Sequence, residues 1–313
     1  MTEAKTNDSF IKRFYQYQKE RFPFLQNGVV IAIFTFSAIS YSIISRGAEN
    51  FVPWEDFLIA IFQTVSFFFL VRLFDEIKDN EDDKKFRSYL PVPRGLISLK
   101  EIKWMAFAVI VLQVAVLIVF QREMILLYCF VFAYLLLMLV EFFIPNWLKK
   151  RQIAYITSHM FVIPLVDLYA SGIDWKLAGV GMHWGLAWFF AVSYFNGIVL
   201  EFGRKLRPPK GEEAGVVSYT KLYGTKGGVF AWLGVLTVTF VLAIGAEIYA
   251  DFHWYYLVLM GVFFIVCAIP GILFLKNATE KNSKKIELFS AIWTALMYLN
   301  LGAAPMFHQL LTA

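Results

Sequence analysis

Nine apolar runs divide this chain, at about 28–46, 54–74, 103–120, 123–143, 153–172, 178–200, 228–248, 254–275 and 287–307. A helix rises 1.5 Å per residue, so a run of about 20 residues spans roughly 30 Å of hydrocarbon. In lipid every backbone amide needs an internal partner, which only helices and closed barrels supply. The runs show no period-2 alternation, which argues against a barrel. The expected fold is therefore all-α: one polytopic membrane domain over residues 1–313 with nine transmembrane helices. Hydrophobic residues make up 59% of the chain and charged residues 17%, which excludes a soluble enzyme or a disordered chain. Cys129 and Cys267 both lie inside apolar runs and do not read as a disulfide framework.

The basic residues are distributed by side. Of the 29 Lys and Arg, 25 fall in the N-terminal tail (Lys5 to Arg21) and in the loops after the second, fourth, sixth and eighth runs. Three fall in the alternate loops, and Arg72 sits at a span end. Such a bias predicts a cytoplasmic N-terminus and an outer C-terminus, in the cell (inner) membrane. It also accounts for the net charge of +5 without any nucleic-acid partner. The first 26 residues are polar and charged and the first run is too long for an h-region, so no cleavable leader is expected. Two inner loops are long, 75–102 and 201–227, and long loops in a compact protein tend to carry function.

The first of these opens on an acidic cluster, Asp75-Glu76-Ile77-Lys78-Asp79-Asn80-Glu81-Asp82-Asp83. At 100° per residue, Asp75, Asp79, Glu76 and Asp83 fall at about 0°, 40°, 100° and 80°, on one helical face. Stacked like charges are unfavourable unless a cation neutralises them. Carboxylates combined with water and phosphate oxygens suit Mg²⁺. Lys84, Lys85 and Arg87 follow at once, so cations for phosphate stand beside carboxylates for metal. The competing reading is a solvated helix end with surplus charge. Pro91-Val92-Pro93-Arg94-Gly95-Leu96-Ile97-Ser98 then forces a rigid turn.

Taken together, these residues resemble the UbiA-type intramembrane prenyltransferases. The first motif of that family reads Asn/Asp-Asp-x-x-Asp-x-x-x-Asp, followed by a Pro-Leu-Pro-x-Gly-x-Ile-Ser turn. Asp75, Glu76, Asp79 and Asp83 match its spacing, with Glu76 in place of an Asp, and residues 91–98 match the turn. Leu90 departs from an Arg common in the family. The resemblance covers nearly the whole chain and implies nine helices. It also implies Mg²⁺ held by Asp75, Glu76, Asp79 and Asp83, with Lys78, Arg87 and Arg94 among the residues that meet the substrate. Asn27 corresponds to a family Asn near the diphosphate, although a helix-start role fits it equally.

The second long loop departs from the family, which has an Asp-x-x-x-Asp motif there. Aligning Gly215 and Gly224 with the later glycines of the motif puts Arg207 and Gly211 where its carboxylates belong. Either Glu201 takes the first carboxylate's place, or a cationic segment replaces the second metal site. Arg204, Lys205, Arg207 and Lys210 read either as a phosphate clamp or as a topology-setting loop on anionic lipid.

Within the spans, Asn196 and Glu201 sit near the depth of Asp75. His159 lies roughly 10 Å into the fifth run and either faces an acceptor or bonds a neighbouring helix. Asp167 is expected near the outer side of that run, in a structural role. Phe68, Tyr155 and Tyr194 are candidates to face an allylic cation.

The resemblance implies an enzyme that ionises a polyprenyl diphosphate with Mg²⁺ and transfers the prenyl group to a lipid or small-molecule acceptor, with the active site facing the cytoplasm. Alternatives are a family variant passing phosphoribose to a polyprenyl phosphate, a terpene cyclase, and a transporter. The sequence leaves chain length, acceptor and oligomeric state open.

Overall fold

The structure is a computed structural model and describes residues 8–212, 215 and 217–312. Lys5 of the basic tail and Glu213 of the second loop lie outside the described residues. The chain opens with α1 (Phe10–Arg21), followed by two long helices, α2 (Phe24–Ser45) and α3 (Trp54–Lys78). The short α4 (Asn80–Phe86) continues from α3 almost without interruption. Next come α5 (Leu99–Phe120), α6 (Ile125–Leu139), the short α7 (Pro145–Lys149), α8 (Gln152–Met160) and α9 (Val162–Trp175). α10 (Leu186–Lys205), α11 (Tyr219–Tyr249) and α12 (Trp254–Lys276) follow. The last span joins α13 (Glu280–Tyr298), a π-helical segment over Leu299–Ala303, and α14 (Ala304–Thr312).

Among the described residues, nine helical stretches are long and apolar enough to cross a membrane, matching the nine runs of the sequence. The fifth is shared by α8 and α9. Pro164 carries no N–H for the carbonyl of Met160, and α8 stops at that residue. Two features differ from expectation. Part of the polar N-terminal segment is helical, as α1. The sixth and seventh spans also reach further into their connecting loop than hydropathy implied, since α10 runs to Lys205 and α11 starts at Tyr219. The added turns carry Arg204 and Lys205 in α10 and Tyr219, Lys221, Tyr223 and Lys226 in α11.

α2, α3, α10 and the last span are the most buried and form the middle of the bundle. α5, α6, α11 and α12 surround them and turn large side chains outward, among them Trp104, Phe120, Leu126, Phe230 and Ile265. Apolar burial does not hold such a bundle together, because lipid is as apolar as the core. Close packing and interhelical hydrogen bonds do so instead, at about 0.6 kcal/mol per bond on average. Thr35 of α2 meets Thr64 of α3 at 2.7 Å, and Gln63 of α3 donates to the Gln113 carbonyl of α5 at 2.9 Å. Trp232 of α11 donates to Ser290 of α13 at 3.0 Å, and Tyr298 donates to Ser193 of α10 at 3.1 Å. Gly302 lies directly against the backbone of Ser37, so a Cβ there would collide with α2.

The two ends of the bundle are chemically distinct. One end holds Arg46, whose guanidinium grips both carboxylate oxygens of Asp174 at 2.7 and 2.9 Å. The other gathers the C-terminal ends of α3, α6 and α10 with the N-terminal ends of α8 and α11. Both long loops of the sequence belong to this second end.

Candidate active site at one end of the bundle

The acidic cluster sits where α3 gives way to α4. Asp79 is the junction residue, with φ −89° and ψ 1°. The i→i+4 backbone bonds nevertheless run straight through it. Asp79 N–H donates to the Asp75 carbonyl, Asp83 N–H to that of Asp79, and Arg87 N–H to that of Asp83, each at 2.8 Å. Helical spacing is therefore preserved, and Asp75, Asp79 and Asp83 share one ridge with Arg87. Arg87 contacts the buried Asp83 at 2.5 Å. Burial pushes the Asp79 carboxyl up to about 6. Lys78 and Arg87 oppose that rise, and Asp75 and Asp83 add to it. Burial also raises the Asp83 carboxyl, against Arg87 and Arg21. Among the described residues, no three His, Cys, Asp or Glu side chains already stand close enough to cage a metal ion. The ridge is a row of carboxylates with cations at its flanks: Lys78 and Arg72 lie 3.6 and 3.9 Å from Asp75, and Arg87 meets Asp83.

Glu76 points elsewhere. It is 1% exposed, and Arg21 of α1 donates to it from Nε at 2.5 Å. α1 is fastened at two more points. Arg13 grips both oxygens of Glu101 at 2.7 and 3.1 Å and donates to the Leu96 carbonyl at 3.0 Å. Arg94 grips both oxygens of Glu20 at 2.7 Å. Arg94 thus ties the proline turn to α1. Gly95 takes φ +80° in that turn, a conformation that penalises any side chain, and its N–H donates to the Val92 carbonyl at 3.0 Å. Ser98 and Glu101 then form a capping box that starts α5. In the sequence Arg13 and Arg21 read only as basic charge, and no local signal marks their partners.

Lys78 ends α3 and points inward. Its ammonium lies 3.6 Å from Asp75 and 3.2 Å from Glu141, and it donates to the Tyr155 hydroxyl at 3.0 Å. Glu141 lies inside an apolar run and is not among the candidates the motifs mark. A lone carboxylate in a membrane span was the available signal. Glu141 is delivered by an unusual backbone: Glu141, Phe142 and Phe143 take φ of 48°, 51° and 62° in succession. None of the three is glycine, so each pays roughly 1–3 kcal/mol of strain. His159 faces Glu141 at 3.5 Å. Tyr155 stacks on His159 with ring centres 3.9 Å apart and 17° between planes.

The facing wall is the end of α10. Glu201 is buried and paired with Arg204 at 2.5 Å and Lys205 at 2.6 Å. Arg204 is exposed and within electrostatic reach of Asp75, and the two long loops of the sequence meet where Gly215 lies against the Phe86 ring. Arg207 is half-buried, and its backbone N–H donates to the Thr220 hydroxyl at 3.2 Å. Asn196 lies deeper in α10, 1% exposed, and neither of its side-chain polar atoms has a hydrogen bond. Asn27 is half-buried in the first turn of α2. Asp167 is fully buried, away from this cluster.

Aromatic rings pack against one another deeper in the bundle. Phe68 lies two turns before Asp75 on α3 and meets Phe34 edge-on at 5.7 Å. Phe34 meets Tyr298 at 5.2 Å, and Tyr298 lies 5.9 Å from Phe189. Tyr194 instead donates to the Thr157 carbonyl at 3.3 Å. A small crevice opens beside Asp75 and Lys78, walled by Val71, Phe74, Leu135 and Met138.

A model of the UbiA prenyltransferase family matches residues 30–300. No curated protein sequence matches the chain. Among solved structures, a digeranylgeranylglyceryl phosphate synthase is similar at TM-score 0.62 and 18% identity, over 93% of this chain and 97% of that one. A UbiA homologue from Aeropyrum pernix K1 is similar at TM-score 0.65 and 15% identity, over 87% and 96%. A UbiA homologue from Archaeoglobus fulgidus, bound to geranyl diphosphate (GPP) and Mg²⁺, is similar at TM-score 0.53 and 10% identity, over 88% and 97%. At these identities the structural likeness is one of fold.

Proposed function

This chain belongs to the UbiA prenyltransferase family, and on that premise we propose that it uses Mg²⁺ to ionise a polyprenyl diphosphate and passes the prenyl group to an acceptor. One observation carries this reading: the unbroken i→i+4 ridge of Asp75, Asp79 and Asp83 at a helix end, flanked by Lys78, Arg87 and Arg204. Those three aspartates are the residues that would hold the ion. Mg²⁺ commonly uses one or two carboxylates together with substrate phosphates, so a ridge without a ready-made cage suits it. The Archaeoglobus fulgidus homologue, which binds GPP with Mg²⁺, supports the pairing of ion and substrate.

The parts of the chain divide the work. When bound, Mg²⁺ supplies Lewis-acid charge to the diphosphate oxygens. Lys78 and Arg87 add fixed positive charge where the leaving group gathers negative charge. The rings of Phe68, Phe34 and Tyr298 offer apolar contact to the prenyl chain, and their faces stabilise an allylic cation. Arg204, with Lys205 and Arg207 beside it, binds the phosphate of a second substrate, Glu201 holding the first two in place. The bias of basic residues supports a cytoplasmic position for this end of the bundle, at the cell membrane.

The test is direct. Purified protein is given labelled geranylgeranyl diphosphate and Mg²⁺, and released diphosphate is counted. Release that depends on Mg²⁺ and disappears in Asp79→Asn is expected. Release at the wild-type rate after exhaustive chelation would remove the metal from the mechanism.

A further inference from the structure

The first turns of α5 carry a groove on the lipid-facing surface of the bundle. It holds about 380 Å³ and is lined by Lys100, Lys103, Trp104 and Phe107. These positions follow the i, i+3, i+4, i+7 spacing, so the side chains stand on one face of the helix. Ile102 and Ala106, on the other side of α5, are buried in the bundle. Both lysines are exposed. Trp104 is 62% exposed and Phe107 57%, and their rings meet edge-on at 5.8 Å. Val111 and Ile118, also exposed, continue the stripe along the span. The groove is therefore cationic where the span begins and apolar from there inward.

Its two cations stand without counter-charge. Among the described residues, neither Lys100 nor Lys103 has an ion pair or a side-chain hydrogen bond. The carboxylate between them, Glu101, is held by Arg13 and Ser98. At the same end of the bundle Lys84 and Lys149, by contrast, pair with Glu81 and Asp82. Lys100 and Lys103 also lie near the start of a helix, where the dipole presents partial positive charge and disfavours cations. An anion in the mouth of the groove offsets both effects. A free anion would leave Trp104 and Phe107 without a partner, and a neutral lipid would leave the lysines without one.

We propose that the groove binds an anionic phospholipid from the leaflet at the site end of the bundle. The phosphate lies between the two ammonium groups, the glycerol backbone rests on Trp104, and an acyl chain runs over Phe107 and Val111 toward Ile118. Tryptophan suits the headgroup level. The stripe from Trp104 to Ile118 is roughly 20 Å long at 1.5 Å per residue, enough for a whole acyl chain. A prenyl diphosphate shares the pattern of charge and tail. It brings Mg²⁺ with it, however, and the groove has no free carboxylate for that ion, because Glu101 is taken. The site is thus separate from the Asp75–Asp83 ridge and does not rest on the prenyltransferase reading. α1 is fastened to the same turn through Arg13 and Glu101, so a bound lipid braces the turn that holds α1.

The test uses the full chain in phosphatidylcholine vesicles that contain a minor share of lipid brominated on its acyl chains, either phosphatidylglycerol or phosphatidylcholine. Bromine quenches a tryptophan that it touches. The part due to Trp104 is the difference between the protein with Trp104 and the same protein carrying Trp104→Phe. Each lysine near the surface contributes roughly a fivefold preference for anionic lipid. The wild type is therefore expected to reach half-maximal Trp104 quenching at about tenfold less brominated phosphatidylglycerol than brominated phosphatidylcholine, or lower still. Lys100→Gln/Lys103→Gln is expected to bring the two lipids within about twofold of each other. Both lysines are exposed and unpaired, so the variant should keep its fold, and its Trp104 quenching by phosphatidylcholine checks that it does. Equal quenching of the wild type by the two lipids, no Trp104 quenching by either, or a preference that survives the double Lys replacement overturns the proposal. Relief of the phosphatidylglycerol quenching by millimolar inorganic phosphate overturns it in favour of a soluble anion. Relief by geranylgeranyl diphosphate equimolar with the protein overturns it in favour of a docking groove for substrate.

Discussion

Arg21 donates from Nε to Glu76 at 2.5 Å, joining the helix before the first span to the motif at the end of the second. Glu76 is 1% exposed and the Arg21 side chain 16%. The pair therefore withdraws one of the four acidic residues of the motif from the ridge. It also holds α1 across the site end of the bundle, where Arg13 and Arg94 make the other two fastenings. What the sequence presents as four equivalent carboxylates becomes a ridge of three and a structural anchor.

Breaking this pair from one side leaves a buried charge without its partner, which costs about 3–5 kcal/mol. Arg21→Met is accordingly expected to lower thermal stability in detergent sharply. The double variant Arg21→Met/Glu76→Met should recover most of the loss. Glu76→Gln should leave the Mg²⁺ concentration for half-maximal activity within about twofold, on the order of 0.4 kcal/mol or less. A large rise in that concentration would make Glu76 a metal ligand after all.

Asp75→Asn and Asp79→Asn are expected to cut turnover by about 10²-fold or more, roughly 2.7 kcal/mol of transition-state stabilisation. Neither change should unfold the protein, because removing one charge relieves repulsion along the ridge. Ca²⁺ should replace Mg²⁺ poorly, since its looser shell positions a leaving group less well. Near-normal diphosphate release from either variant would remove the ridge from the chemistry.

The Asp79 carboxyl, held at about 6 mainly by burial, implies a pH dependence. Its folded-state value lies above the ordinary carboxylate range. Without metal, the folded state therefore binds the proton more tightly than the unfolded chain does. The stability from that proton is fully present below the ordinary value and is lost as pH rises through about 6. A divalent cation competes with the same proton. Millimolar Mg²⁺ should thus raise the melting temperature at about pH 7.5 and have little effect at about pH 5, with both responses weakened in Asp79→Asn. Equal Mg²⁺ stabilisation at the two pH values would refute this coupling.

Replacing Arg204 and Arg207 with Gln separates a phosphate site from a loop that only sets topology. Each charge-assisted hydrogen bond lost to substrate phosphate costs about 1.5–3 kcal/mol, a factor of roughly 10–150 in kcat/KM. Lys205, Lys210, Lys221 and Lys226 remain, so membrane orientation should survive. Glu201→Gln should weaken binding of the phosphorylated substrate without raising the Mg²⁺ requirement, because Glu201 is occupied by Arg204 and Lys205. Kinetics unchanged by the double Arg replacement would return the segment to a purely topological role.

The nine spans, the four-residue spacing of Asp75, Asp79 and Asp83, and the proline turn at residues 91–98 were legible in the sequence. Each is a local property. Hydrophobic length and helical period depend on residues close in the chain, and lipid enforces the backbone bonding that follows. The stability of α1 was not legible, because it comes from ion pairs to residues 55 to 88 positions away.

The sequence by itself determined that this chain lies in a membrane and that it carries a carboxylate ridge and cations at one end. The tertiary structure alone decided which charges meet: Arg21 with Glu76, Arg94 with Glu20, and Lys78 with Asp75 and Glu141. Glu141 shows the reason. Its place depends on three left-handed residues that contain no glycine to announce them, and on His159 and Lys78 arriving from two other helices. Packing energy collected across the bundle holds that strained turn, and no window of neighbouring residues contains it.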